Sequence, residues 1–391
     1  MDSRTGNGRS YRKLKGLVMS KLWKVFAIVL LLACTPALAK DSLRILTWDG
    51  YVTREDLASV NALLSQSGYD IEATVIAPYA EGAEQMYQLM RKGKVDISFL
   101  TLFFIKMQGE KSASLIQPIN LASPRLSNYK HLLPSLTKLE MGMRDGNPLY
   151  IPFSGGSYGF YVDRKKVSAT EVPKSWGDLF SPRWQGKYSL NQSQIWYNVA
   201  IASMALGKQP YYLNSLADDA QRQSVIKETQ ADGPLAKKLM ALYENAGDFW
   251  DAAPRFLPHL EIVSSWGMDV KQANRDGGDW QLITFKEGNL VWMDTINFAS
   301  GLTGKRLEAA EIVANYFIGK EVQSRVASEL SLVSVSTLAS TNPLLSNNPQ
   351  FFTSGSFVPP YNRMADNRMR QMSSDVLKKI VVSKKRLLHG D

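Results

Sequence analysis

Leu43-Arg-Ile-Leu-Thr-Trp48 is a compact apolar run, and everything downstream is organised around it. A run of this length bounded by turn residues reads as a buried strand. Thr53 then opens a helix, with Asp56 three positions on as its capping-box partner. Leu57, Val60 and Leu64 mark the inward face of that helix, and Gly68 ends it. Ile71, Ala73 and Val75 alternate as a second strand. Met86, Leu89 and Met90 fall on a helix that stops near Gly93, and Val95-Asp-Ile-Ser-Phe99 is a third strand. Strand, helix, strand, helix, strand predicts an α/β chain with a parallel sheet and right-handed crossovers. Ligands of such sheets gather beyond the carboxyl ends of the strands. Here those ends carry Trp48-Asp49-Gly50-Tyr51 and Thr101-Leu102-Phe103. Either these side chains line a small-molecule site, or Trp48 and Tyr51 merely cap the core.

The pattern changes after Pro152. Ser157 to Val162 reads as a strand, Val199 to Leu206 and Ala236 to Leu242 as helices, and Glu261 to Ser264 as a further strand. A single long helix is expected from Leu307 to about Leu330, with Ala310, Val313, Tyr316 and Phe317 on one face. The tail from Asn362 onward is helical, and its basic residues read as a solvated face. Between these lies Leu290-Val-Trp-Met-Asp-Thr-Ile-Asn-Phe-Ala299, a buried strand with Asp294 in its middle. An ionised carboxylate taken out of water needs a partner or loses its charge. None of these ten residues is Lys or Arg. The partner is either a framework cation from elsewhere in the chain or a cationic ligand.

A chain of 391 residues is too long for one ordinary core, so two domains are expected. Apolar content of 45% and charged content of 21% fit a soluble globular protein. The N-terminus stands apart. Lys21 and Lys24 precede the apolar run Val25 to Ala33, and Ala37-Leu38-Ala39 supplies small residues at a cleavage position. That is the plan of a secretory leader over 19–39, cut before Lys40, with residues 1–18 an upstream extension. A competing reading takes Leu31-Leu32-Ala33-Cys34 as a lipoprotein box with Cys34 lipidated. Residues 1–39 hold seven of the 46 Lys and Arg and one of the 36 Asp and Glu, so the mature chain carries +4 rather than +10. The basic balance therefore belongs to the leader and does not argue for nucleic acid.

Catalytic motifs fail on context. Gly155-Gly-Ser-Tyr-Gly159 matches G-x-S-x-G, but a nucleophile elbow needs a sharp strand-to-helix turn, and Phe160-Tyr161-Val162 continues a strand. Three scattered histidines, His131, His259 and His389, do not suit zinc. Asp276-Gly-Gly-Asp279 lacks the downstream ligands of a calcium loop, and Gly301-Leu-Thr-Gly304-Lys305 lacks the spacing of a phosphate loop. No enzyme activity, metal or cofactor is expected.

Ser175-Trp-Gly-Asp-Leu-Phe-Ser-Pro-Arg-Trp-Gln-Gly-Lys187 resembles the S-W-x-D-L-x-x-P-x-x-x-G-K element of bacterial periplasmic solute-binding proteins. Trp266-Gly-Met-Asp-Val-Lys-Gln-Ala-Asn-Arg275 and Lys286-Glu-Gly-Asn-Leu-Val-Trp-Met-Asp294 resemble the putrescine- and spermidine-binding members, and Ile45-Leu-Thr-Trp-Asp-Gly-Tyr-Val52 is similar to their first strand. The resemblance spans nearly all of residues 41–391. It implies a type II periplasmic-binding fold: two α/β lobes, each a mostly parallel sheet flanked by helices, hinged to close on a ligand. Lobe one would be 41–150 with 292–340, and lobe two 151–291 with 341–391. The resemblance further implies that Asp294 and Asp269 accept ammonium groups, that Trp48, Trp266 and Trp292 form walls, and that Tyr51, Asp49, Thr101 and Phe103 complete the first lobe's side. An alkyl diamine suits such a slot, because its methylenes need apolar walls and each ammonium needs a carboxylate or an aromatic face. The chain departs from the family at Gly50, at Tyr197 and near Leu332, where polyamine binders place an acid, a glutamate and a tyrosine. The expected function is periplasmic capture of a polyamine-like cation for an ABC permease. The same scaffold can instead serve a transmembrane sensor, or carry a sugar or a thiamine-like cation.

Overall fold

The computed structural model describes residues 41–215, 222–349, 351–352, 356–359 and 362–389. The expected leader and Cys34 lie outside the described residues. The opening unit forms where its periodicity places it, as β1 (Asp41–Leu46), α1 (Arg54–Gln66), β2 (Ile71–Val75), α2 (Ala83–Arg91) and β3 (Ile97–Thr101). Thr53 and Asp56 exchange the two bonds of a capping box at the start of α1. Val60 and Leu64 are fully buried beneath it, while Leu57 is half-buried. Gly68, just past the helix, has φ +80°, a conformation that glycine alone adopts without steric penalty. On α2 the inward set is Met86, Tyr87 and Met90, with Leu89 only half-buried.

The longer downstream elements are β4 (Ile151–Ser157), β5 (Gly159–Asp163), β6 (Ser189–Asn191), α3 (Ile195–Ala205), α4 (Pro234–Glu244), β7 (Asp248–Trp250), β8 (Ile262–Ser265), α5 (Met268–Arg275), β9 (Trp280–Leu282), β10 (Val291–Phe298), α6 (Gly304–Phe317), α7 (Lys320–Ser328), β11 (Val333–Ser334) and α8 (Arg363–His389). The six-stranded sheet runs β11-β4-β10-β3-β1-β2. Within it β1 and β3 are parallel, and β10 is antiparallel to both β3 and β4. The second sheet, β8-β5-β9, is antiparallel and is extended by the parallel pair β6–β7 through a bridge from Tyr188 to Ile262. Both sheets are therefore mixed rather than mostly parallel. The antiparallel pairs come from β10 and β11, which return to the first sheet late in the chain, and from β8 and β9, which both pair with β5. Tyr158 alone separates β4 of the first sheet from β5 of the second. The single strand expected over 157–162 is thus two strands, parted where the Tyr158 N–H bonds the Leu290 carbonyl at 2.9 Å.

The long helix expected from Leu307 to Leu330 is also two, α6 and α7, broken at Gly319. Gly319 is extended (φ −79°, ψ 171°) and caps α7. A Cβ there would meet the Tyr316 carbonyl at 3.0 Å and Asn128 Nδ2 at 3.1 Å. Asn128 is locked in place, its amide and side chain both bonded to Asn315. The turn aims α7 at the sheet. Buried Gln323 donates to the carbonyls of Phe153 and Phe317 and accepts from Ser334, tying β4, α6 and β11 together. Phe99, Phe153 and Phe317 meet edge to face at 4.8–6.2 Å and fill the space between.

The S-W-x-D-L element is architectural. Ser175 and Asp178 form a capping box, and Trp176 stacks on Phe285 at 3.7 Å while its indole donates to the Gly288 carbonyl. No described helix is long and apolar enough to cross a membrane.

Candidate ligand-binding site

Asp294 lies on β10 directly opposite Thr101 of β3 on one side and Ser154 of β4 on the other, with an irregularity in the register just after it. It is 4% exposed. Its two carboxylate oxygens accept from Tyr51 Oη and Thr101 Oγ1, each at 2.6 Å, the short length of hydroxyl bonds to a charged acceptor. Among the described residues no Lys, Arg or His forms an ion pair with it. Burial pushes the carboxyl up to about 6, against the two hydroxyl bonds that hold it down. Burial, followed by the charge of Asp294, likewise drives the Tyr51 hydroxyl far above its ordinary range.

Tyr51 is placed by packing and by a cation spent elsewhere. Its ring lies 5.1 Å from Phe153 and 6.2 Å from Phe99. Arg325 donates to the carbonyls of Gly50 and Tyr51 and binds Asp56 at 2.5 Å. The guanidinium that reaches this loop thus shapes it and leaves Asp294 to the hydroxyls.

The aromatic residues form a wall. Trp292 precedes Asp294 by two positions, so both side chains leave the same face of β10. Its ring lies over Gly156, where a Cβ would come within 2.6 Å of the indole. Trp266 meets Trp292 at 6.5 Å, Tyr158 at 5.2 Å, Tyr197 at 5.6 Å and Trp250 at 6.2 Å. Tyr197 is buried at the start of α3, and burial, then the charge of Asp294, raises its hydroxyl. A second chain of rings runs from Trp48, which meets Phe104 at 6.4 Å, through Phe103, 4.7 Å from Phe104, to Trp196 at 5.7 Å from Phe103. Phe103 and Trp196 also wall a small cavity with Asn214, Asp366 and Met369.

The fold therefore bonds Tyr51, Thr101 and Asp294 together, and packs Trp266, Trp292 and Tyr197 into one cluster. Trp48 and Phe103 are joined through Phe104. Asp269 stands apart in the first turn of α5, half-buried and accepting from Ser265 Oγ at 3.4 Å. Burial raises its carboxyl as well. Asp49 is exposed at the turn and makes no hydrogen bond or ion pair among the described residues. Leu332 is a buried core residue. Sequence reasoning passed over Tyr158, Tyr161, Trp196 and Trp250. Of these only Tyr158 carried a local signal, since it sits where a glycine-rich run changes sheets.

That run is no nucleophile elbow. Ser157 is buried at the end of β4, and the chain enters β5 two residues later rather than a helix. Gly155 and Gly156 are required instead by the rings of Phe352 and Trp292 against the backbone. Gly156→Ala should lower the unfolding free energy by about 2 kcal/mol, the usual cost of forcing one methyl into a packed site. Thermal melts together with a shifted tryptophan emission would show it.

The model of the family described as bacterial extracellular solute-binding protein matches residues 94–354. The chain is 23% identical over 298 residues to the spermidine/putrescine-binding periplasmic protein 1 of Haemophilus influenzae, covering 74% of each chain. To the spermidine/putrescine-binding periplasmic protein of Salmonella typhimurium it is 24% identical over 305 residues, 77% of this chain and 79% of the other. The fold is shared with the spermidine/putrescine ABC transporter substrate-binding protein of Streptococcus pneumoniae, at TM-score 0.60 and 16% identity over 88% of this chain and 99% of that one. The two-lobed type II architecture is thus the one adopted here. With more than half its length inside one family model, this chain belongs to the bacterial extracellular solute-binding proteins, a family that binds solutes rather than transforming them.

Proposed function

We propose that the protein captures a small cationic amine in the periplasm and presents it to an ABC permease. The observation that carries this reading is Asp294: a carboxylate buried to 4% exposure, held by two hydroxyls, with no protein cation paired to it among the described residues. A buried anion left without a counter-charge costs several kcal/mol, on the order of 3–5, and a cationic ligand removes that cost. Indole and phenol rings beside it suit both an ammonium and its methylenes. The kinship with relatives named for spermidine and putrescine supports the same class of cargo. In this reading the ligand lies between two lobes. One is built on the six-stranded sheet and the other on the sheet around β5, with changeovers at the β4–β5 junction, near residue 291 and after residue 340. Secretion by the leader over 19–39 belongs to the same proposal.

Calorimetry with putrescine, cadaverine, agmatine, spermidine and norspermidine tests it. At least one should bind with a saturable exothermic or endothermic signal at one site per chain, and silence toward every amine would end the assignment.

A further inference from the structure

Five tryptophans around and behind the site fall into two groups. Trp176, Trp196 and Trp250 donate their indole N–H to the Gly288 carbonyl, the Asp366 carboxylate and Ser264 Oγ. The indole nitrogens of Trp48 and Trp292 are buried, yet neither has an acceptor among the described residues. Buried polar atoms of this kind are rare in folded proteins and require an explanation. Both belong to the elements that hold Asp294 and its partners. Trp292 shares its face of β10 two residues away, and Trp48 is the second residue after β1, the strand paired with the β3 that holds Thr101, and three residues before Tyr51.

An indole N–H donates and cannot accept, and an alkylammonium has the same limitation. A bare diamine would satisfy Asp294 but would bring only further donors to Trp48 and Trp292. We infer that the natural ligand carries a neutral hydrogen-bond acceptor, an amide carbonyl or a hydroxyl, a short alkyl chain away from its amine. This rests on the amine reading above and narrows it to a monocation. A carboxylate as the acceptor is disfavoured by the charges present: the site contributes the anion of Asp294, and the guanidinium of Arg325 is already bound to Asp56. Residues two apart on a strand lie roughly 7 Å from each other, a separation that a four-carbon amine can span between its ammonium and its acceptor. The class is that of monoacylated diamines and amino alcohols.

The test is calorimetry on the full mature chain with putrescine, N-acetylputrescine, 4-aminobutanol and 4-aminobutyrate. N-acetylputrescine or 4-aminobutanol should bind at least tenfold more tightly than putrescine, the scale of one satisfied buried donor, and 4-aminobutyrate should bind more weakly than both. Trp292→Phe keeps the ring and removes the donor, so it should shrink that preference by about tenfold; Trp48→Phe provides the same comparison should the first variant melt early. Putrescine binding as tightly as its acylated form, or both Phe variants leaving the ratio unmoved, overturns the inference while the amine reading stands. Failure of every amine to bind overturns both.

Discussion

Asp294→Asn lowers affinity for a cationic amine thirtyfold to several thousandfold, the range expected when one partner of a buried charge pair is neutralised at a cost of about 2–5 kcal/mol. Asparagine keeps the shape of the side chain, so the packing of Thr101, Tyr51 and Ser154 around it need not change. What goes is the charge, together with one acceptor, since the amide nitrogen must face a hydroxyl that turns to accept. The unliganded variant should therefore unfold at nearly the same temperature as the parent, or slightly higher at neutral pH, because it no longer buries an uncompensated anion. The ligand-induced rise in melting temperature should vanish. A variant that melts early would point instead to a framework role for the carboxylate, and one that binds as the parent does would mean that the cation sits elsewhere. Calorimetry and thermal melts on the same preparations separate these outcomes.

Acidification weakens capture of the amine about a hundredfold between neutrality and pH 4, with the fall setting in near pH 6 and running at about tenfold per pH unit below it. The cause is proton competition. Desolvation raises the carboxyl of Asp294 to about 6 in the unliganded protein, and the ammonium requires the ionised form. The sign for folding is the reverse of the usual carboxylate case. Because the folded pKa lies above the unfolded one, the folded state holds its proton more tightly. This group therefore favours folding most at low pH and loses that contribution as pH rises from about 4 to about 6. Asp96 and Glu261, held low by Arg44, Arg306, Arg183 and Lys187, act in the opposite sense, so the contribution of Asp294 is read from the difference between parent and Asp294→Asn melting curves. The other titratable groups facing the carboxylate, Tyr51 and Tyr197, are both raised and stay neutral through this window. A flat affinity profile from pH 8 to pH 4 would contradict the assignment.

How much of this was readable along the chain follows from the range of the forces involved. The first five elements are specified locally. Alternation at Ile71, Ala73 and Val75, the capping box of Thr53 and Asp56, and the positive φ of Gly68 each depend on residues a few positions apart. Their order alone then puts Trp48, Tyr51 and Thr101 at one edge of a sheet. The break at Gly319 was not readable, because it depends on Asn128, nearly two hundred residues away, crowding a position where a side chain would collide. The same holds for the β4–β5 junction. The glycines around Tyr158 signal a close approach of the backbone, but not that the chain changes sheets there.

The sequence by itself determined that a carboxylate would be buried at position 294 in apolar surroundings, since the residues on either side of it allow nothing else. Only the tertiary structure decided its partners, drawing hydroxyls from sequence separations of 193 and 243 while directing the guanidinium of Arg325 to Asp56. Burial is a property of local pattern, whereas the identity of a buried group's neighbour depends on the register of strands that meet only once the chain has folded.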